Sequence, residues 1–505
     1  MKILNAEQIR LMDTYIIQNE PISSLDLMER AASVCAHWIL QHLPKNQAFL
    51  VYCGGGNNGG DGLAITRILS DNQLNCKAIL LKSRGRLSPD NQANLDRLSE
   101  KYPNHILVVS NDDPVPSPDK GSIVIDAIFG TGLKGDLSGN ELVATKQINA
   151  SGCKVVSIDI PSGITSDKTT QFIKNNTVKA NHTLTFQYLK PCLVMPENLQ
   201  QIGQLLVLDI GLDARGLSQF EAEMELISID LIRGMIKDRP TAGHKGEFGH
   251  ATIMAGGTGK AGAGILAAKS CLRSGCGLIS LIVPQSENVI FQSSVPEAMT
   301  ICYGDNRPSI SIPIKTTALA VGPGIGTSPT TKETLHRLIE LWGKPLIADA
   351  DALNILSESP ELLDKLPNGS LLTPHVGEFE RLIKKSTSND FERLDEQKAL
   401  SRMLNCIILL KGAFTKITTP EGRVWVNPTG NAGMAKGGSG DILTGLIAGL
   451  AARGHSIEDA AVIGAYLHGL AGDLCAQTLG MEAMHASDII EAIPQAWQEI
   501  TNQKL

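Results

Sequence analysis

The stretch AFLVYCGGGNNGGDGLAITRIL, residues 48–69, decides the fold of the first half of the chain. A short apolar run, a glycine-rich turn and a helical pattern follow one another without interruption. This order predicts a buried parallel strand joined by a tight turn to a covering helix. Glycines in such a turn let backbone N–H groups approach a phosphate. The turn at 54–62 also carries Asn58 and Asp61, and the acid would repel a phosphate, so this turn needs a second explanation.

The same alternation of apolar runs and helical patterns continues through most of the 505 residues. It predicts an α/β fold in which parallel sheets are covered by helices. A less regular segment between residues 213 and 235 separates two such series, so we predict one domain over 1–215 and a second over 225–505. The candidate strands are 48–53, 77–82, 106–109, 123–127, 155–160 and 183–187 in the first series, and 278–283, 318–321, 345–349, 370–373 and 406–410 in the second.

Composition excludes several classes of protein. The chain is 42% hydrophobic and 19% charged, carries a net charge of −7, and has only 4% aromatic residues. Without a basic run or a stacking surface, neither nucleic acid nor an anionic membrane is expected as a partner. Ten scattered cysteines without a CxxC pair predict free thiols in a reducing compartment. With no secretory signal pattern and no long apolar run, these features favour the cytoplasm.

Two familiar phosphate-binding turns do not fit the first half. The turn matches G-x-G-x-x-G, but an ordinary dinucleotide-binding unit also places an acid at the end of the next strand. That strand ends instead in Lys82, Ser83 and Arg84. A P-loop is excluded too, because no Lys-Ser or Lys-Thr pair follows the glycines.

Two later strands also end in polar residues. SIVIDAIFGTGLKGDLSG carries Asp126, and VVSIDIPSGI carries Asp159 followed by Ser162. A single Asp after a strand is usually a turn cap. The carboxyl ends of parallel strands meet at one sheet edge, however, so these side chains are expected to converge with Asn58. Their convergence favours a binding site for a phosphate-bearing ligand.

These three segments together resemble the N-terminal domain of NAD(P)H-hydrate epimerases, over about residues 1–215. The resemblance implies a Rossmann-like three-layer α/β domain. It implies a potassium ion held by Asn58, Asp126 and Ser162, and neutral oxygens with one carboxylate suit a monovalent cation. It also implies that the hydrated dinucleotide contacts Asn57, Asn58, Gly59, Gly60, Asp61, Gly130, Thr131, Gly132, Leu133, Lys134, Gly135, Asp136 and Asp159.

We assign the acid–base role in this domain to Asp159 as a hypothesis. Inverting a hydrated carbon requires hydroxide to leave with a proton and water to return on the other face. One carboxyl group that gives and retakes a proton serves both steps.

In the second half, MAKGGSGDILTGLIAGL places a glycine run before a helix with Asp441 in its first turn. N–H groups at a helix N-terminus stabilise developing phosphate charge, and an adjacent carboxylate can take the proton of an attacking hydroxyl. The alternative is that Asp441 only caps its helix. The length of the glycine run favours the functional interpretation.

This motif resembles the anion hole and catalytic Asp of ribokinase-like kinases. With HKGEFGHATIMAGG, AVGPGIG, ADADALNIL, LLTPHVGEFERL and LLKGAFT, it resembles ADP- or ATP-dependent NAD(P)H-hydrate dehydratases over about residues 228–500. The resemblance implies a ribokinase-like α/β domain, with magnesium bridging the nucleotide phosphates. It implies a catalytic Asp441, hydrate contacts from Ala263, Gly324, His375 and Asp441, and nucleotide contacts from Lys411, Gly412, Ala413, Phe414, Thr415 and Gly440.

Two of these residues have simpler interpretations. A lone histidine such as His375 is usually a structural hydrogen-bonder, although its place after a strand raises its interest. Lys411 is either a solvated lysine at a strand end or a phosphate contact, and its glycine neighbour favours the phosphate. No physical feature of the sequence decides between ADP and ATP, and the fused bacterial-type layout favours ADP.

Together the two resemblances predict a fused repair enzyme for the hydrates NADHX and NADPHX that uses an adenine nucleotide. One half interconverts the R and S hydrates, and the other dehydrates the S form to NAD(P)H. The resemblance of the second domain also favours a homo-oligomer. One alternative is a ribokinase-type small-molecule kinase with an accessory ligand-binding domain. Another is a non-catalytic scaffold in the first half, which the polar set around Asp159 argues against.

Overall fold

The computed structural model describes residues 1–20, 22–82, 86–111, 113–168, 176–212, 221–304 and 310–501. The chain divides into two compact units, the first mainly Lys2–Ala222 and the second mainly Glu223–Ser388 with Glu392–Leu505. Ser83 and Arg84, which stand where an ordinary dinucleotide-binding unit has an acid, lie outside the described residues. Residues 213–215, at the predicted end of the first domain, also lie outside them.

The first unit is built on a parallel sheet with helices on both faces. Its described strands are β1 Lys2–Ile3, β2 Phe49–Cys53, β3 Cys76–Leu81, β4 Ile106–Val109, β5 Ile123–Ala127, β6 Lys154–Ile158, β7 His182–Phe186 and β8 Gln204–Leu208. Its described helices are α1 Ala6–Asn19, α2 Ser24–His42, α3 Asn57–Asp71, α4 Pro89–Lys101, α5 Gly139–Ala150 and α6 Leu199–Ile202. The sheet runs in the order β4-β3-β2-β5-β6-β7-β8, with every pair parallel.

This strand order places the functional edge of the first unit. β2, β5 and β6 are neighbours, so the turns that follow them emerge side by side. Across the sheet, Asp126 pairs with Tyr52 on one side and with Ser157 on the other. Separate apolar clusters cover the two sheet faces, with Leu63 of α3 in one and Ile148 of α5 in the other. The fold is therefore the predicted three-layer α/β sandwich.

The second unit has a larger sheet. Its described strands are β9 Met224–Leu226, β10 His250–Met254, β11 Leu278–Pro284, β12 Met299–Tyr303, β13 Ala318–Val321, β14 Ile347–Ala348, β15 Leu371–Leu372, β16 Ile407–Leu410, β17 Lys416–Thr418 and β18 Val424–Val426. They run in the order β9-β18-β17-β16-β15-β14-β13-β10-β11-β12. Pairing is parallel except where β17 meets β16 and β18.

Helices cover both faces of this second sheet. They are α7 Ile229–Met235, α8 Ala261–Arg273, α9 Asn288–Ser294, α10 Pro329–Trp342, α11 Asp351–Glu358, α12 Pro360–Leu363, α13 Val376–Ile383, α14 Asp390–Leu404, α15 Ser439–Ala452, α16 Ile457–Leu479 and α17 Ala486–Thr501. Short 3₁₀ turns occupy Pro103–His105, Pro191–Val194, Pro196–Asn198, Gln285–Glu287 and Ala432–Met434. No described helix has the length and apolar character needed to cross a membrane.

Small residues set the contact between α8 and α15. A Cβ on Gly445 would lie 2.0 Å from the carbonyl oxygen of Ala267, and one on Gly449 would lie 2.0 Å from the Ser274 hydroxyl. Both glycines let the helix backbones approach closely. Small residues at these positions are therefore a condition of this helix contact.

Two local expectations differ from the structure. The helix after the first glycine run begins at Asn57, inside the stretch 54–62 that was predicted as a turn, so most of the polar residues belong to its first turns. The N-cap is Gly56, and no side chain caps the helix, so Asp61 is not a cap. The short strands β12, β17 and β18 were not predicted.

Candidate active sites

A cavity of about 410 Å³ opens at the functional edge of the first unit. It is bounded by the turn after β5, by Asp159 after β6, by the start of α3, and by residues of α1 and α2. Seven of the predicted substrate contacts line it: Asn57, Asn58, Asp61, Gly130, Thr131, Gly132 and Asp159. The predicted convergence of strand ends is therefore present.

The other predicted contacts in this unit lie elsewhere. A Cβ on Gly59 would lie 1.8 Å from the carbonyl oxygen of Gly54, and one on Gly60 would lie 2.7 Å from Met28 Sδ. These glycines allow α3 to pack tightly against its neighbours. Leu133 is buried, and residues 134–136, which include Lys134, Gly135 and Asp136, are exposed outside the cavity lining. Their binding roles stay predictions.

Asp126 and Ser162 form a buried cluster beside the cavity. The Ser162 hydroxyl donates to Asp126 Oδ1 at 2.5 Å, and its backbone N–H donates to Oδ2 at 2.9 Å. The Ser157 hydroxyl and the Ile128 N–H donate to the same carboxyl group. Burial raises the pKa of Asp126, and these hydrogen bonds oppose that shift.

Asn58 completes the set predicted to hold potassium. Its amide nitrogen is buried and has no hydrogen-bond partner among the described residues, so the fold does not use this amide fully. The Ser162 hydroxyl also lies 3.3 Å from the carbonyl oxygen of Phe129, which adds a neutral oxygen nearby. One carboxylate and several neutral oxygens fit a monovalent cation. No cluster of three or more His, Cys, Asp or Glu side chains suited to a metal occurs in the described parts of the chain.

Asp159 has an unusual backbone conformation. Its φ is +66°, and a hydrogen bond from the Ile160 N–H to the Ile158 carbonyl spans it, which makes a γ-turn of the rare positive-φ form. Such strained residues cluster at functional sites. Its carboxylate pairs with Lys190, with Nζ 2.6 Å from Oδ1. Lys190 also lines the cavity and was not predicted.

Two further carboxyl groups face the same cavity. Burial raises the pKa of Asp61 well above its usual range, and the charges of Asp159, Asp13 and Asp90 add to this. Burial also raises the pKa of Asp13 to about 6, with Lys190 opposing the shift. Asp13 lies on α1, where no sequence pattern distinguished it from other polar positions of an amphipathic helix. The cavity therefore combines Asp159, which has a cationic partner, with two carboxyl groups whose pKa values burial raises.

In the second unit, Asp441 lies in the first turn of α15. The helix begins after Gly438, which has a φ of +94°, and no side chain caps it. Asp441 is therefore not the cap, and the backbone N–H groups of the first turn are not blocked by a side chain. Burial raises the pKa of Asp441 to about 6, the charge of Asp349 adds to the shift, and Lys411 opposes it.

Lys411 lies beside the same helix start. Its Nζ is 2.7 Å from Asp349 Oδ1 and 3.4 Å from where a Cβ on Gly440 would lie. The predicted nucleotide contacts Lys411 and Gly440 are therefore adjacent. The turn that follows Lys411 is closed by a hydrogen bond from Thr415 Oγ1 to the Gly412 carbonyl, and Phe414 within it has a φ of +49°. Ala413 completes this turn, and all six residues, Gly440 included, stay predicted nucleotide contacts.

Two of the predicted hydrate contacts in the second unit, Gly324 and Ala263, are neighbours. A Cβ on Gly324 would lie 3.0 Å from the Cβ of Ala263. His375 is the N-cap of α13: its Nδ1 accepts from the N–H groups of Gly377 and Glu378. Accepting there leaves the ring proton on Nε2, which lies 3.4 Å from Glu378 Oε1, so His375 has a structural role at this helix start.

Two acids of the second site were overlooked, although they lie inside the segment ADADALNIL. Asp349 is buried and bonds Lys411, and Asp351 accepts from the Gly326 N–H and pairs with Lys260. Their place after β14 could have identified them from the sequence, because ligands bind at the carboxyl ends of parallel strands.

Comparisons with known proteins divide the chain in the same way. Residues 24–192 match the family described as YjeF-related protein N-terminus, and residues 251–495 match the family described as NAD(P)H-hydrate dehydratase. The bifunctional NAD(P)H-hydrate repair enzyme Nnr of Moorella thermoacetica is 33% identical, over 100% of this chain and 98% of the relative. The enzyme of that name from Escherichia coli is 31% identical, over 95% of this chain and 90% of the relative.

A solved structure is similar to the second unit. It is described as the ADP/ATP-dependent NAD(P)H-hydrate dehydratase from Bacillus subtilis co-crystallised with ATP and Mg²⁺. It is 28% identical, covers 54% of this chain and 97% of that chain, and superimposes with a TM-score of 0.49.

Proposed function

Because the chain belongs to the family of bifunctional NAD(P)H-hydrate repair enzymes, we propose that its two units carry the two activities of that family separately. The first unit interconverts the R and S hydrates of NADH and NADPH, and the second dehydrates the S form with ADP, giving AMP and phosphate. The observation that carries this division is that each unit has a carboxylate where the chemistry requires one. Asp159 lines the cavity of the first unit, and Asp441 lies in the uncapped first turn of α15 in the second.

In the first unit, Asp159 exchanges a proton with the C6 hydroxyl of the hydrate. The C6–O bond breaks as the hydroxyl leaves as water, and the ring nitrogen lone pair stabilises the resulting cation. Water then adds to the opposite face and returns its proton to the carboxylate. Asn57, Thr131 and the backbone at Gly130 and Gly132 surround the ligand, since they line the same cavity.

We propose that Asn58, Asp126 and Ser162 hold a potassium ion. The support is chemical: the set offers one buried carboxylate, a serine hydroxyl and an amide oxygen, which are the oxygen ligands that a hard monovalent cation takes. The ion supplies positive charge beside a cavity that contains several carboxyl groups. It also explains how a glycine turn that carries acidic neighbours accepts a dinucleotide.

In the second unit, Asp441 takes the proton of the C6 hydroxyl as that oxygen attacks the terminal phosphoryl group of ADP. A new O–P bond forms and AMP leaves. The C6–O bond then breaks to release phosphate, and loss of a proton from C5 restores the double bond of NAD(P)H. The N–H groups of the first turn of α15 and the Lys411 ammonium stabilise the charge on the phosphoryl oxygens. Bound magnesium neutralises charge on the nucleotide phosphates.

The nucleotide preference, the cellular location and the oligomeric state are also proposals. ADP is preferred here over ATP on the basis of the fused layout. A reducing, cytoplasmic location agrees with ten cysteines that form no disulfide. A homo-oligomeric state stays a prediction from the sequence.

One assay tests the division between the units. Mixed R and S hydrates are incubated with ADP, and the absorbance of reduced nicotinamide and the ratio of the stereoisomers are followed. We expect Asp441→Asn to abolish recovery of absorbance while the stereoisomers still interconvert. We expect Asp159→Asn to recover only the S share of the pool. Full recovery by either variant at the wild-type rate contradicts the assignment, and a stable phosphorylated product indicates a kinase instead.

A further inference from the structure

Lys190 is a fully buried cation in the first unit that the proposed chemistry does not yet use. Its side chain is 2% exposed. Lysine is almost never buried to this extent unless it is paired. It lies four residues after β7, immediately before the 3₁₀ turn that begins at Pro191, and it borders the cavity.

The ammonium group makes three contacts, and all of them are with the protein. Its Nζ lies 2.6 Å from Asp159 Oδ1, donates to Thr185 Oγ1 at 2.8 Å, and reaches the Phe186 carbonyl at 3.4 Å. An ammonium has three N–H donors, so these contacts use its donor capacity. Lys190 therefore acts on Asp159 and not directly on a ligand.

The contacts fix one oxygen of Asp159 and leave the other free. Thr185 Oγ1 donates to Asp159 Oδ1 at 3.3 Å, so both Lys190 and Thr185 contact the same carboxylate oxygen. Oδ2 points toward the turn after β5, and lies 2.8 Å from where a Cβ on Gly130 would stand. That turn is part of the cavity lining. The carboxylate is thus anchored by Oδ1 and presents Oδ2 to the ligand.

The surrounding charges make the pairing selective. The other ionisable groups at the cavity are Asp13, Asp61, Asp90 and Tyr188, together with the exposed Arg10. Lys190 makes its short ion pair with Asp159 and with none of these acids. Of the acids at the cavity, Asp159 is therefore the one whose carboxyl group is held in place by a buried cation.

The backbone also requires such an anchor. Asp159 is held at a φ of +66°, which costs about 1–3 kcal/mol and persists only where the surroundings impose it. The ion pair with Lys190 and the hydrogen bond from Thr185 are two contacts that impose it.

We propose that Lys190 is a positioning residue for the epimerisation: it anchors Asp159 through Oδ1 and directs Oδ2 toward the C6 hydroxyl of the hydrate. This inference rests on the proposed function of the first unit. It goes beyond it by giving a defined task to a residue whose ammonium group makes its three contacts with the protein.

The test compares Lys190→Met, Lys190→Arg and Thr185→Val in the full chain. Epimerisation is measured from pure R hydrate as it converts to S, across substrate concentrations. For Lys190→Met we expect kcat to fall by about 100-fold, the range of a misplaced acid–base group, with KM within about twofold of wild type. We expect Lys190→Arg to recover a large part of the loss, because it restores the counter-ion.

Thr185→Val keeps the side-chain volume and removes the two hydrogen bonds of the hydroxyl, to Lys190 and to Asp159, but leaves the ion pair, so we expect a smaller loss of kcat in the same direction. This variant also keeps the test decisive if Lys190→Met does not fold. Dehydration of pure S hydrate with ADP, and urea unfolding, report the integrity of each variant. An unchanged kcat in Thr185→Val and in any folded Lys190 variant overturns the proposal, as does a loss that appears only in KM. Absence of epimerisation in the wild type would instead refute the proposed function.

Discussion

The Thr444 hydroxyl on α15 donates to Asp349 Oδ2 at 2.7 Å, and this contact joins the helix that carries Asp441 to the end of β14. The other oxygen of Asp349 bonds Lys411 at 2.7 Å. Asp349 therefore connects the sheet, the helix that carries Asp441, and the lysine predicted to contact the nucleotide. Its burial makes these contacts rigid, and a rigid helix start is what an anion hole requires.

The first prediction concerns the pH dependence of dehydration. Burial and the neighbouring Asp349 raise the pKa of Asp441 to about 6. A general base acts only in its deprotonated form, so the rate should fall as pH decreases through about 6, not near the ordinary value for aspartate of about 4. The measurement is kcat with S hydrate at saturating ADP between pH 5 and 8, a range set by this pKa.

Asp349→Asn provides the matched test of the cause. Removing this negative charge favours the charged form of Asp441, so the acidic limb should move to lower pH. A limb that stays in place in Asp349→Asn, or a wild-type limb near pH 4, would contradict the assignment of Asp441 as the base.

The second prediction concerns the buried cluster at Asp126. Its carboxyl group accepts four hydrogen bonds, from Ser157, from Ile128 and twice from Ser162. Asp126→Asn replaces an acceptor by an NH₂ group that faces donors. We expect it to lower the free energy of unfolding of the first unit by about 2–4 kcal/mol, measured in urea. Ser157→Ala, which removes one of the four donors, should cost about 1 kcal/mol. Equal stability of Asp126→Asn and wild type would show that these bonds contribute little.

Most of the first site was predictable because it depends on strand ends. Asp126 and Asp159 each follow or end a continuous apolar run, and parallel strands bring such positions to one edge. Lys190 was not predictable in this way. The turn that brings it to Asp159 contains Gln187 at a φ of +51°, and no local sequence pattern indicates that a non-glycine residue adopts this conformation.

The glycines of residues 54–62 show a second limit. Their number predicted a phosphate-binding turn, but glycine also occurs where two backbones approach closely, and sequence alone does not separate these uses. Gly59 and Gly60 serve close packing, whereas Gly56 borders the cavity. In the second unit the missed strands β17 and β18 pair antiparallel over three residues each, too short for a periodicity to appear.

The third prediction concerns potassium. If Asn58 is a ligand, Asn58→Ala should raise the potassium concentration that gives half-maximal epimerisation by roughly tenfold, equivalent to about 1.4 kcal/mol for one lost contact. Epimerisation is measured at increasing KCl with total ionic strength kept constant by a larger, non-binding cation. Asn57→Ala is the control, because Asn57 lines the cavity but is not in the proposed ligand set. A potassium dependence that is the same in both variants would remove Asn58 from the site.

The last prediction separates the two uses of glycine within one turn. A Cβ on Gly59 would lie 1.8 Å from the Gly54 carbonyl oxygen and 2.8 Å from Asn91 Nδ2, and neither backbone nor buried amide can yield easily. Gly59→Ala should therefore destabilise the first unit by about 3 kcal/mol or more in urea. A Cβ on Gly55 meets only Leu87 Cδ2 at 3.5 Å, so Gly55→Ala should change stability by less than about 1 kcal/mol. If both variants were equally stable, close packing of α3 would not explain the glycine run. The better explanation would then be that the glycines leave space for a ligand.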